Sequence, residues 1–72
     1  MKRYFEFIGG SSAKFWEISV NGGDVGVRFG RIGTAGQTQT RSFDDETAAM
    51  KHAAKLIAQK TKKGYQEAVA TS

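Results

Sequence analysis

Arg28-Phe29-Gly30-Arg31 is the part of this sequence best equipped for chemistry. An arginine fork grips phosphate or carboxylate bidentately. An aromatic ring offers a stacking face, and a glycine between them lets a ligand approach the backbone closely. Together these are the parts of a nucleic-acid contact. The surrounding segment, Val25 to Phe43, adds Arg41 and a polar run that includes Gln37 and Gln39. Between Asp24 and Asp44 it holds three arginines and no acid, so much of the formal net charge of +4 sits in one stretch. Strand alternation supplies a competing reading. In it Phe29 continues an apolar face begun by Val25 and Val27, and Arg31 is solvated.

Other chemistries find little support. The chain has no Cys, which excludes disulfides and thiolate metal sites and fits a reducing compartment. Its one histidine, His52, lies on the flank of a helical stripe and reads as a boundary residue; no catalytic or metal-ligating set is expected. Asp44, Asp45 and Glu46 read as a helix start. Gly30, Gly33 and Gly36 follow neither the dinucleotide fingerprint nor the P-loop pattern, and are expected to serve a bulge and a hairpin turn. Lys51, Lys55 and Lys62 form a stripe on a solvated face. Lys60 differs, since helical spacing projects it about 20° from Ala49, inside the apolar stripe. It is either a lysine whose stem covers the core edge or an ammonium held at the rim for an anion.

These residues need elements to hold them. The first half reads as strands: Lys2 to Ile8, Lys14 to Val20, Val25 to Ile32 and Gln37 to Phe43. Gly9-Gly10-Ser11-Ser12, Asn21-Gly22-Gly23-Asp24 and Gly33-Thr34-Ala35-Gly36 separate them as turns. Trp16, Ile18 and Val20 share one face. The second half reads as one helix from Asp44 to Lys63, closed by Gly64, with Ala49, Met50, Ala53, Leu56 and Ile57 as its apolar stripe. The expected fold is therefore α+β: a four-stranded antiparallel meander with one long C-terminal helix packed on one face. One domain is expected over 1–66, with a frayed tail over 67–72.

The same residues carry a family resemblance. Phe29-Gly30-Arg31 resembles the Trp-Gly-Arg motif that names the WGR domain family. Arg28 through Thr34, with Gly36-Gln37, resembles its extended run RWGRIGTxGQ. Phe43 followed by acidic residues and Ala49 resembles its helix start, and Lys60 with Lys63-Gly64-Tyr65 its closing KxxKGY. The resemblance covers roughly Lys2 to Tyr65 and is closest to the stand-alone bacterial type. It implies an antiparallel sheet with a helix against it. It also implies DNA contact, because WGR domains of poly(ADP-ribose) polymerases bind DNA near strand breaks. There the motif's Trp stacks at the DNA end and its Arg lies at the DNA and interdomain contact. The motif Trp is Phe29 here, which keeps a stacking ring but has less area and no indole N–H.

The expected function is a non-enzymatic nucleic-acid-binding module, with DNA as partner and no cofactor. Its expected site comprises Arg28, Phe29, Gly30, Arg31, Gln37, Gln39, Arg41 and Lys60. A cytoplasmic monomer is expected, with no membrane partner. The alternative is a protein-interaction module that offers the polar strand Gln37–Phe43 as an edge, or docks an acidic partner on its arginines.

Overall fold

A computed structural model describes residues 1–68. Five strands and one helix follow in order: β1 (Lys2–Gly9), β2 (Ser12–Asn21), β3 (Asp24–Arg31), β4 (Gln37–Ser42), α1 (Glu46–Lys62) and β5 (Gln66–Ala68). They form one antiparallel sheet in the order β4-β3-β2-β1-β5. The α+β class and the meander of the first four strands are as expected. The strand count and the terminal position of the helix are not.

The fifth strand arises from how α1 ends. Gly64, at φ 108°, follows the cap residue Lys63. The Tyr65 N–H then reaches back to the Lys60 carbonyl and the Gly64 N–H to that of Thr61. This paired pattern is the Schellman closure. It reverses the chain and seats Tyr65 against Phe7, with ring centroids 5.5 Å apart. Residues 66–68 are thereby laid along Tyr4–Glu6. Arg3 donates to both carboxylate oxygens of Glu67 at 2.8 and 2.7 Å. The tail expected over 67–72 is thus strand at its start, and its last four residues lie outside those described.

Tight turns fix the register. Asn21 faces Asp24 around Gly22-Gly23, which sets every β2–β3 pair, from Val20 opposite Val25 to Lys14 opposite Arg31. The ladder runs unbroken through Gly30, so the expected bulge is absent. Gly30 instead makes room for the following loop: a Cβ there would stand 2.9 Å from the Gly36 Cα.

The core lies between α1 and one sheet face. Phe5, Trp16, Ile18, Val20 and Val25 meet Ala49 and Ala53, which have no exposed surface. Small side chains there let the helix sit close to the strands. Asp45 caps its start by accepting from the Ala48 N–H at 2.8 Å. Met50, expected in the stripe, is 42% exposed. It projects about 75° from the stripe's centre, at the stripe's outer margin. His52 is half-buried at the boundary, 4.9 Å from the Phe43 ring. Among the described residues no helix is long and apolar enough to cross a membrane.

Candidate functional site

The ends of β2, β3 and α1 converge on one corner of the molecule. A cavity of about 320 Å³ opens there, walled by Lys14, Trp16, Phe29, Arg31, Lys60 and Tyr65, with the Ser11 and Ser12 turn at its rim. Register places Lys14 directly opposite Arg31, and Trp16 opposite Phe29. All four side chains therefore point to the helix side of the sheet. Lys60 enters from the helix, its Nζ 5.7 Å from the Trp16 ring centroid and 5.4 Å from that of Tyr65. The Schellman turn sets this last contact, since it folds Tyr65 back over the turn that carries Lys60.

The electrostatics of the corner are one-sided. Among the described residues, no Asp or Glu lines the cavity. The described ion pairs are Lys2 and Arg28 with Glu17, and Arg3 with Glu67, all elsewhere. Lys14 and Arg31 are like charges directly opposite in a sheet, an arrangement that costs stability. Burial, followed by the neighbouring Lys63 and Lys14 charges, holds the Lys60 ammonium below the usual lysine range. Both rings lie near the ~6 Å limit of cation–π attraction, so that offset is small.

This has a measurable consequence. A base lowered in the folded state binds fewer protons there than in the unfolded chain. Stability then rises with pH through the lowered value, up to the ordinary 10.5. Lys60→Met is expected to raise the melting temperature at pH 7 and to flatten that alkaline rise. The gain should fall short of the ~4–8 °C that 1 kcal/mol represents in a domain this small, because solvent still screens the amine. Circular dichroism melts of both proteins at neutral and alkaline pH check it.

The sequence-predicted residues divide among three places. Phe29, Gly30, Arg31 and Lys60 meet at the cavity, and Gln37 stands beside Phe29 across the β3–β4 ladder. Phe29 is half-buried on the helix side, so it both closes the core and presents an edge to the cavity. Arg28 points to the opposite face. It donates to Glu17 at 3.3 Å and to the Ala35 carbonyl at 2.9 Å, with its guanidinium carbon 4.6 Å over the Phe15 ring. Gln39 and Arg41 lie farther along β4, beside a second groove. Lys14, Trp16 and Tyr65 were missed as site residues. The Gly22-Gly23 turn already carries the signal for Lys14, because that register pairs it with Arg31.

The model of the WGR domain family matches residues 1–72. The chain is 46% identical over 67 residues to YfeS, an uncharacterized protein of Escherichia coli strain K12, covering 93% of this chain and 28% of YfeS. It is 43% identical over 65 residues to protein YehF of the same organism, covering 90% of this chain and 24% of YehF. A crystal structure of a Bacteroides fragilis protein superposes with a TM-score of 0.93 at 54% identity, covering 96% of this chain and 20% of that one. The chain thus spans about a quarter of the length of the curated relatives it matches.

Proposed function

The chain belongs to the WGR domain family, and from that premise we propose that it is a non-enzymatic module that binds DNA at the Lys14–Arg31–Lys60 corner. The observation that carries the reading is the concentration there of cations that take part in none of the described ion pairs. Lys14 faces Arg31, a half-buried Lys60 stands between two aromatic rings, and no Asp or Glu among the described residues lines the cavity. A fold does not gain from such an arrangement by itself. A polyanion removes the mutual repulsion and restores the solvation that Lys60 lacks.

Each side chain has a role in this reading. Arg31 grips a phosphate as a fork, and Lys14 and Lys60 supply point charges to it or to its neighbour. The edges of Phe29 and Tyr65 meet a sugar or a terminal base. Trp16 is 3% exposed, so it floors the cavity and holds Lys60 in place. Gln37 adds a hydrogen bond from the adjoining strand. Backbone contacts of this kind bind with little sequence preference.

The reading predicts a steep salt dependence. With three to four phosphates neutralised, affinity should fall about 40–150-fold between 50 and 200 mM salt. Fluorescence anisotropy of a labelled blunt duplex measures it. Arg31→Ala should lower the slope of log affinity against log salt by about one. A flat salt response, or a slope unmoved by Arg31→Ala, counts against the proposal.

A further inference from the structure

The two edges of the sheet are built differently. β5 is three residues long and tied down by the Arg3–Glu67 pair. β4 is six residues long, exposed throughout, and has no proline, lysine or bulge to protect it. Edge strands usually carry such protection, because unpaired backbone groups recruit other strands. The Phe43 N–H bonds inward to the Gly23 carbonyl. By antiparallel alternation, the backbone groups of Thr38, Thr40 and Ser42 therefore point outward, away from β3.

A groove of about 510 Å³ runs beside this edge under α1. Val25, Val27 and Leu56 line it, with Gln39, Arg41 and His52 at its margins. Arg41 is exposed and takes part in none of the described ion pairs. We propose that β4 and this groove form a docking site for an extended, acidic segment of another protein, which adds to the sheet as a sixth strand. The rungs of Thr38, Thr40 and Ser42 bind its backbone. Its residues opposite Arg41 and Gln39 both point to the groove side. An Asp or Glu opposite Arg41 answers the unpaired guanidinium, and a branched apolar residue two positions away enters the groove beside Leu56. Charge complementarity selects the acidic partner, since Arg41 is the charged side chain at this groove and no Asp or Glu among the described residues lines it.

A displayed library of random peptides, selected against the whole chain, tests the proposal. The expected result is enrichment of an acidic residue two positions from Val, Ile or Leu. A synthetic peptide of that pattern should slow hydrogen exchange at the Thr38, Thr40 and Ser42 amides. Thr40→Pro removes one outward N–H without touching the β3–β4 ladder, and should weaken binding at least about tenfold. Arg41→Glu should weaken it similarly, which keeps the test open if the proline variant misfolds. Three results would overturn the proposal: no enriched pattern, binding indifferent to both substitutions, or self-association through β4 in sedimentation equilibrium. Slowing of the same amides by duplex DNA in place of peptide would also overturn it.

Discussion

Replacing Arg31 and Lys60 together by glutamate is expected to abolish duplex binding while leaving the protein folded. Arg31 is exposed and Lys60 stands at the rim, outside the buried core cluster, so neither change opens a cavity in the core. Charge-assisted hydrogen bonds contribute about 1.5–3 kcal/mol each. Losing two of them costs at least about 3 kcal/mol, more than a hundredfold in affinity, and the new carboxylates repel phosphate besides. The matched control is Lys51→Glu with Lys55→Glu on the outer face of α1, where both lysines are exposed and outside the cavity. That pair makes the same change in net charge and should cost under about tenfold, through long-range field alone. Anisotropy titrations of all three proteins at low salt make the comparison. Equal losses in the two pairs would reduce the site to general basicity.

Gly36→Ala is expected to unfold much of the population. Gly36 sits at φ 74°, where a side chain costs roughly 1–2 kcal/mol. An added Cβ would also stand 2.5 Å from the Phe29 carbonyl oxygen and 2.7 Å from Phe15 Cζ. Neither neighbour can yield cheaply. The carbonyl belongs to β3, and Phe15 is buried between Tyr4, Arg28 and the loop. Overpacking of this kind adds about 1–3 kcal/mol. The sum approaches the ~3–5 kcal/mol that a core this small supplies. Gly33→Ala separates strain from crowding. Gly33 has φ 97°, but nothing lies within 4 Å of its added Cβ. It should lose only about 1–2 kcal/mol, or roughly 4–16 °C. Thermal melts of both variants decide whether the loop's fit onto Phe15 matters as argued.

The loop also explains why the glycine spacing resisted reading. Gly30 and Gly36 are six residues apart in sequence yet touch across the turn, one making room for the other. That is a tertiary contact, which local pattern does not encode. Much else was legible. Alternation put Phe29 on the core side, and Gly64 marked the helix end. Helical spacing drew Lys60 into the apolar stripe, where it meets Trp16.

One feature was legible in principle but misjudged. Phe29 and Arg31 share parity along β3, so Arg28 had to face the other way. The Gly22-Gly23 register then pairs Arg28 with Glu17, an acid that occupies it. Treating all three arginines as one surface ignored that alternation. β5 belongs to a different category. Gln66-Glu67-Ala68 has no strand-forming residue, and only the reversal at Gly64 and the distant Arg3 recruit it. Its existence depends on contacts between residues more than sixty positions apart, beyond the reach of any window.

The central claim is that anions bind at the corner where β2 begins and β3 and α1 end. Backbone amide and indole NMR shifts, followed while a blunt DNA duplex is added, test it most directly. The largest changes are expected at Lys14, Gly30, Arg31, Lys60 and Tyr65 and at the Trp16 indole, with little movement at Lys51, Lys55 or Arg41. Changes centred on the outer face of α1 or along β4, or no change at saturating duplex, would contradict it.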